Sequence, residues 1–442
     1  MLINDLRSFC KISCPCGKSH ELILKDIVLK KGALLSLPEK VLEFGVKKAF
    51  IIMDNNTLKV AGEKVDTLLN EKGIETVKFI YNTDNLEPDD TALEQLYIAF
   101  DKTCEIVIGV GSGVINDLGK MLAHKENKPY IIVATAPSMD GYASASSSMV
   151  MNGLKVSISS KCADVIIGDI DILKNAPIEM LKAGIGDMLA KYVSLAEWKI
   201  AKEIRGEYYC ERVALLMRQA LKRCVDNAKE LLNLNEKAVE AVYEGLIIGG
   251  LAMAFAGVSR PASGVEHYLS HVWDMRGLEF DSKVNFHGIQ CAVGTFIAVK
   301  LYEKLLKITP DKEKALNYVK NFDYSVWADE LKKFLGKSAL TMIELEEKER
   351  KYDVNKHEKR LEIIIDKWDI ICKIIREEIP TKEVFENILE MVKLPKNCKE
   401  MGLICDEITS FKATKDIRDK YVLSFLLWDL GVLEQLLKEQ FN

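Results

Sequence analysis

Between Lys48 and Thr135 short apolar runs alternate with stretches of helical spacing, and that alternation leaves few folds open. Lys48 to Asp54 (KAFIIMD) reads as a buried strand ending on an acid, and Thr57 to Lys72 carries its apolar residues at helical spacing. Thr76 to Tyr81 reads as a second strand. Pro88-Asp89-Asp90 opens a helix to Asp101, Cys104 to Val110 (CEIVIGV) is a third strand, and Pro129 to Thr135 is a further one. Strands that alternate with helices pair in parallel, and the ligands of such sheets collect at the carboxyl ends of the strands. From about Asp171 the alternation fades into long amphipathic patterns with few glycines, so the second half is expected to be helical. Within it, residues 325–380 form a charged helical insertion, dense in Lys and Glu, with Leu361, Ile364, Ile365, Trp368 and Ile371 at helical spacing. A solvated arm or an interface is the plain reading of that insertion; a lid is the sharper one.

Gly109-Val110-Gly111-Ser112-Gly113-Val114-Ile115-Asn116-Asp117 lies where the third strand hands over to a helix. Glycines there let the backbone approach a phosphate, and the amides that open the helix supply aligned donors. The spacing is not G-x-G-x-x-G, and a tight structural turn calls for glycines equally. Asp54, at the end of an earlier strand, is placed to bind an adenine ribose hydroxyl, which favours the dinucleotide reading. After the next strand comes Thr135-Ala136-Pro137-Ser138-Met139-Asp140-Gly141-Tyr142-Ala143-Ser144. Its hydroxyls (Thr135, Ser138, Ser144) and the carboxylate of Asp140 suit a loop lining a polyol cleft, although an ordinary surface loop has the same composition.

Three of the six histidines, His267, His271 and His287, fall within a short window, with Asp187 upstream in AGIGDMLAKY. That is the composition of a divalent-metal site, and the four-residue spacing of the first two puts them on one face of a helix. Gly288 would let the chain turn and aim His287 inward. The competing reading is of isolated surface or core histidines. Near the amino terminus, Cys10, Cys14, Cys16 and His20 offer four soft or borderline ligands, with Gly17 among them. They read either as a small structural zinc site or as an ordinary turn around Pro15-Cys16-Gly17.

At 442 residues and 48% hydrophobic, the chain can bury the cores of two domains. A net charge of -5 gives no electrostatic footprint for nucleic acid or acidic membranes. No apolar run of about eighteen residues stands out, and MLINDLRSFCK lacks the form of an export signal, so a cytoplasmic location is expected. The eleven cysteines are scattered and expected to be mostly reduced.

Five separated segments occur in order: the strand leading into GVGSGVIND, TAPSMDGYAS, AGIGDMLAKY with SLAEWK after it, ASGVEHYLSHVWD, and Asn285-Phe286-His287-Gly288. Together, over roughly residues 20–310, they resemble the sn-glycerol-1-phosphate dehydrogenase family, part of the dehydroquinate synthase-like and iron-containing alcohol dehydrogenase-like group. The resemblance implies an α/β dinucleotide-binding domain (residues 1–170) followed by an all-α domain (171–442), with metal and active site in the cleft between them. It implies Asp187, His267 and His287 as ligands of one divalent ion, nickel or zinc and in relatives iron. It implies that Gly113, Val114, Ile115, Asn116, Asp117, Thr135, Ala136, Pro137, Ser138 and Ser144 hold NAD or NADP. Asp140, Asp187 and His271 would contact substrate, with Asp187 and His271 as the catalytic pair.

Four residues after Asp187 stands Lys191, where the four-ligand iron alcohol dehydrogenases place a histidine, so three protein ligands are expected. A zincin site is ruled out, because Tyr268 rather than a glutamate follows His267. The reaction expected from the resemblance is reversible hydride transfer between a nicotinamide and a glycerol phosphate, giving dihydroxyacetone phosphate. Lys191 and Lys199 are candidates for holding the phosphate, the other reading being of solvated lysines. The alternatives are a glycerol or polyol dehydrogenase, a dehydroquinate synthase-like cyclase and, outside catalysis, a nucleotide-binding sensor. A homodimer is expected because symmetric pairs are the commonest assembly.

Overall fold

The computed structural model describes residues 2–83, 85–152 and 154–441. Among them are eight strands: β1 (Asp26–Lys30), β2 (Lys48–Asp54), β3 (Glu75–Tyr81), β4 (Ile106–Gly111), β5 (Tyr130–Ala134), β6 (Ser146–Met151), β7 (Leu154–Ser159) and β8 (Val165–Asp169). Six pair in parallel in the order β1-β8-β5-β4-β2-β3, while β6 and β7 form a separate antiparallel hairpin. The central strands β4, β5 and β8 are buried at every residue and β2 at all but its ends: Ile51, Ile108, Ile131 and Ile167 join one core with helical Val41, Val65 and Leu69, and the intervening Ile52, Val107, Ile132 and Ile166 are buried as well. That is why the strands read as apolar runs rather than as alternating patterns.

The register sets Ile52 opposite Gly109 and Gly111 opposite Ala134, so β2, β4 and β5 end side by side. The strand read from KAFIIMD has the expected bounds. The helix expected over Thr57 to Lys72 is broken into three pieces. Asp54 Oδ1 accepts the backbone N–H of Asn56 and Thr57 at 2.8 and 2.7 Å, Asp54 N–H donates to Thr57 Oγ1, and a π-helical turn, Leu58–Gly62, precedes the regular helix Glu63–Glu71. The sequence reading places no strand at β1, β8 or the hairpin, although Val165-Ile166-Ile167 is an apolar run of the same kind as the others.

Packing divides the chain into two compact units, Met1–Met188 with Arg212–Ser259, and Leu189–Glu211 with Arg260–Asn442. The sequence pattern changes near residue 170, but the helices Glu211–Asn227 and Glu236–Ala256 lie almost wholly in the unit that holds the sheet. Tyr243 of the second helix meets Tyr142 edge to face with ring centroids 5.2 Å apart. The Glu236–Ala256 helix is long and apolar enough to cross a membrane by length and composition, although its sequence is not an unbroken apolar run. Of its apolar window 78% is buried inside the protein, as expected of a core helix.

The other unit holds helices and no strand among its described residues. The Val265–Phe280 and His287–Leu305 helices pack closely, with Gly294 set against the backbone of Glu266. The charged insertion folds as Tyr324–Leu335, Ser338–Glu349, Val354–Asp366 and Trp368–Glu378. Leu361, Ile364 and Ile371 are buried, and Ile365 and Trp368 half-buried. Tyr352 joins the ring cluster of Trp428 at 4.8 Å, and Arg360 donates to the fully buried Asp429, which also accepts from Tyr421. The insertion is thus bound into the core of its unit.

Candidate functional site

In the sheet unit the expected cofactor residues gather at the carboxyl ends of β4 and β5. The Gly113–Lys125 helix starts directly after β4, with Ser112 as its N-cap. Ser112 makes no side-chain cap; its hydroxyl pairs instead with that of Ser138 at 2.7 Å. The Ser112 side chain thus does not occupy the opening amides of the helix, the kind of donors that a pyrophosphate site uses. Ile115 and Asn116 are buried, so from Gly113 to Asp117 the contribution is mainly backbone. A Cβ on Gly111 would stand 2.5 Å from that of Ile115, which is why glycine occupies the turn.

Thr135, Ser138 and Ser144 are all buried, and Thr135 N–H donates to Gly111 O at 3.1 Å. Ala136 O accepts from the Tyr142 hydroxyl at 2.6 Å, and Pro137 O presses against Gly184 so closely that a Cβ there would stand 1.9 Å away. A residue missed in the sequence is Lys120, which is fully buried and binds the Asp117 carboxylate at 2.9 Å and the Ser144 hydroxyl at 3.2 Å. Its three-residue spacing from Asp117 was the available signal. Burial pushes the Asp117 carboxyl upward, against the downward pull of Lys120.

Asp187 is fully buried near the end of the Ile178–Leu189 helix, and its Oδ2 accepts the Asp140 N–H at 2.9 Å. The two carboxylates offer oxygens within 4.8 Å of each other. Asp54, on β2, uses Oδ1 for capping, so a ribose contact would fall to Oδ2.

In the helical unit His267 and His287 come together, with ring centroids 5.0 Å apart. His271, one turn after His267, lies with its ring 5.9 Å from that of His287. His267 Nδ1 donates to Glu266 Oε1 at 2.9 Å, and His287 Nδ1 bonds Ser270 Oγ at 2.8 Å. Assigning both Nδ1 protons to these bonds puts the lone pairs on Nε2, the arrangement of ligand histidines held by outer partners. Cys291, a turn after His287, brings its sulfur within 4.8 Å of donor atoms of both histidines. The i+4 spacing from His287 was its only sequence signal.

Behind Glu266 lies Glu197, which accepts N–H bonds from Val265 at 2.9 Å and Leu423 at 2.8 Å. Burial first, and the Glu266 carboxylate second, push the Glu197 carboxyl up to about 8. Lys191 is fully buried and donates to Ala262 O at 3.1 Å, while Lys199 lies 3.7 Å from Glu378 and 3.8 Å from Glu377. Two imidazoles tethered in this way are donors suited to a borderline divalent ion.

The class follows from fold and sequence together. The family model described as iron-containing alcohol dehydrogenase matches residues 28–177. The structure of a glycerol dehydrogenase from Schizosaccharomyces pombe superposes with a TM-score of 0.60 at 17% identity, covering 94% of this chain and 90% of that one. The chain therefore has the iron-containing alcohol dehydrogenase fold, with its α/β amino-terminal part and helical remainder. Within that class, a Halalkalibacterium halodurans protein named glycerol-1-phosphate dehydrogenase (NAD(P)+) is 35% identical over 294 residues, 66% of this chain and 74% of that protein. A Bacillus licheniformis protein of the same name is 33% identical over 312 residues, 69% of this chain and 78% of that one. The chain belongs to the glycerol-1-phosphate dehydrogenase family, whose members are metal-dependent, NAD(P)-linked oxidoreductases.

Proposed function

We propose that this protein interconverts dihydroxyacetone phosphate and sn-glycerol 1-phosphate, using NAD or NADP and one divalent ion held by Asp187, His267 and His287. The observation that carries the reading is the pair of imidazoles tethered through Nδ1, with His271 beside them. A bound ion would polarise the ketone oxygen, and the reduced nicotinamide would supply the hydride. The residues of the chain bind, orient and move the proton. The opening amides of Gly113 to Asp117 face the pyrophosphate, while Thr135, Ala136, Pro137, Ser138 and Ser144 line the nicotinamide end. Asp54 favours NAD by repelling a 2′-phosphate, although neighbouring Asn55 and Asn56 weaken that preference. Asp140 and Asp187 receive substrate hydroxyls, and His271 relays the proton, since imidazole titrates near neutrality. Nickel and zinc are the favoured ions, with iron a third candidate, because all three accept this donor set. The same reading carries a cytoplasmic homodimer acting on a small phosphorylated ketone or polyol.

The test is metal-stripped protein reloaded with nickel, zinc or iron singly and assayed with dihydroxyacetone phosphate and each reduced cofactor. Turnover restored by one ion, and at least tenfold better than with glycerol in the reverse direction, is the expected result. Equal or better oxidation of glycerol would make the protein a polyol dehydrogenase, and phosphate release without net NADH would make it a cyclase.

A further inference from the structure

A second group of metal donors lies in the sheet unit, on residues that the proposed activity does not use. Cys14, Cys16 and His20 bring their donor atoms within 4.8 Å of one another. The Cys16 Sγ to His20 Nε2 distance is 3.4 Å. With zinc-sulfur and zinc-nitrogen bonds of about 2.3 and about 2.05 Å, the edge of a tetrahedron joining those two atoms is about 3.5 Å. The local chain is bent for this arrangement. Gly17 has φ +81°, a conformation suited to glycine, and its N–H closes a turn on Cys14 O at 3.2 Å. Cys10 sits earlier, in the last turn of the Leu2–Lys11 helix.

The tautomer of His20 is set by a partner that can only accept. Its Nδ1 lies 3.1 Å from the carbonyl oxygen of Phe255, so Nδ1 carries the proton and Nε2 presents its lone pair on the side of Cys16. This is the outer-partner pattern of ligand histidines, on a side chain only 3% exposed. The acceptor is one of the last carbonyls of the Glu236–Ala256 helix, and Lys18 Nζ caps the next, Ala256 O, at 2.8 Å. Phe9 stacks on Phe255 with centroids 5.4 Å apart, and Arg212 donates to Phe9 O and Ile12 O, both at 2.8 Å. The segment is therefore held before any ion binds, which reduces the ordering cost of binding.

We infer that Cys14, Cys16 and His20 bind a thiophilic divalent cation, zinc in the first instance, as a structural site separate from the ion proposed for catalysis. The fourth corner of the tetrahedron is left to a further donor. Two thiolates and one imidazole select zinc over the harder ions, and binding releases the thiol protons. The site would fasten the amino-terminal segment to the end of the Glu236–Ala256 helix. The inference does not rest on the proposed activity.

The experiment uses the full chain, stripped with chelator and reloaded with zinc or cobalt(II). The wild type is expected to hold one more equivalent of metal than Cys14→Ser/Cys16→Ser and to show thiolate-to-cobalt charge-transfer absorption that the variant lacks. Asp187→Ala is expected to keep that absorption, so failure of the catalytic-metal reading shows separately. Equal metal content and equal spectra in wild type and double variant would overturn the inference. If the double variant is insoluble, alkylation of wild-type thiols followed by peptide mapping decides. At least tenfold slower reaction of Cys14 and Cys16 with zinc than without supports the site, and equal rates, or a disulfide joining the two, overturn it.

Discussion

Glu266 acts through its neighbour: its Oε1 accepts hydrogen bonds from His267 Nδ1–H at 2.9 Å and from the N–H of Gly264 at 2.7 Å. Outer partners of ligand histidines typically contribute about 10–100-fold to metal affinity. We predict that Glu266→Gln weakens metal binding by about that factor, read by competition with a chromophoric chelator; unchanged affinity would detach Glu266 from the metal. Glu197, behind it, makes a different prediction. Its carboxyl is raised from 4.5 to about 8 in the folded chain by burial and by Glu266. A raised carboxyl pKa contributes stability in full below the unfolded value, and that contribution is lost as pH rises through the folded one. Relative to Glu197→Gln, the wild type should lose stability between pH 5 and about 8, by at most about 1.4 kcal/mol per pH unit. Urea midpoints compared across that range test it, and parallel curves for the two proteins would refute it. None of this was visible in the order of residues, because Glu197 meets Val265 and Leu423 only in the folded unit.

At the scale of elements, the end of the sheet proposed to bind the cofactor depends on a helix pressed against a loop. Gly184 of the Ile178–Leu189 helix touches Pro137 O, and no side chain fits between them. Overpacking of this kind costs about 1–3 kcal/mol when neighbours must move. Gly184→Ala is expected to lower thermal stability and to raise KM for the nicotinamide while leaving zinc at Cys14 and Cys16 unaffected. A variant with unchanged melting temperature and KM would show that the loop yields freely. The β2 strand was legible to the residue because an apolar run ending in Asp-Asn-Asn is a local signal. The five-residue β1 was not, since its place depends on pairing with β8, far along the chain. The break in the helix after Asp54 was equally hidden. Capping by Asp54 and a π-turn can replace regular spacing without changing which residues are apolar.

For the molecule as a whole, the charged insertion is structural support for its unit. Asp429 is fully buried and accepts from Arg360 and Tyr421, so removing Arg360 would strand a buried charge. Breaking one side of such a pair typically costs about 3–5 kcal/mol. Arg360→Ala is therefore expected to destabilise the helical unit by about that amount in chemical denaturation. A loss below about 1 kcal/mol would restore the picture of a solvated arm.

The sequence alone determined that a parallel α/β sheet precedes a helical region, because periodicity is a property of neighbours along the chain. It also offered candidate residue types for a metal and, through ordered motifs, determined the family. Only the tertiary structure decided that Lys120 binds Asp117 and Ser144, that Glu266 and Ser270 orient the histidines, and that Arg212–Ser259 joins the sheet unit. The reason is physical. Buried hydrogen bonds and ion pairs are made with whichever group folding brings within about 3 Å, and those partners lie at sequence separations that carry no pattern.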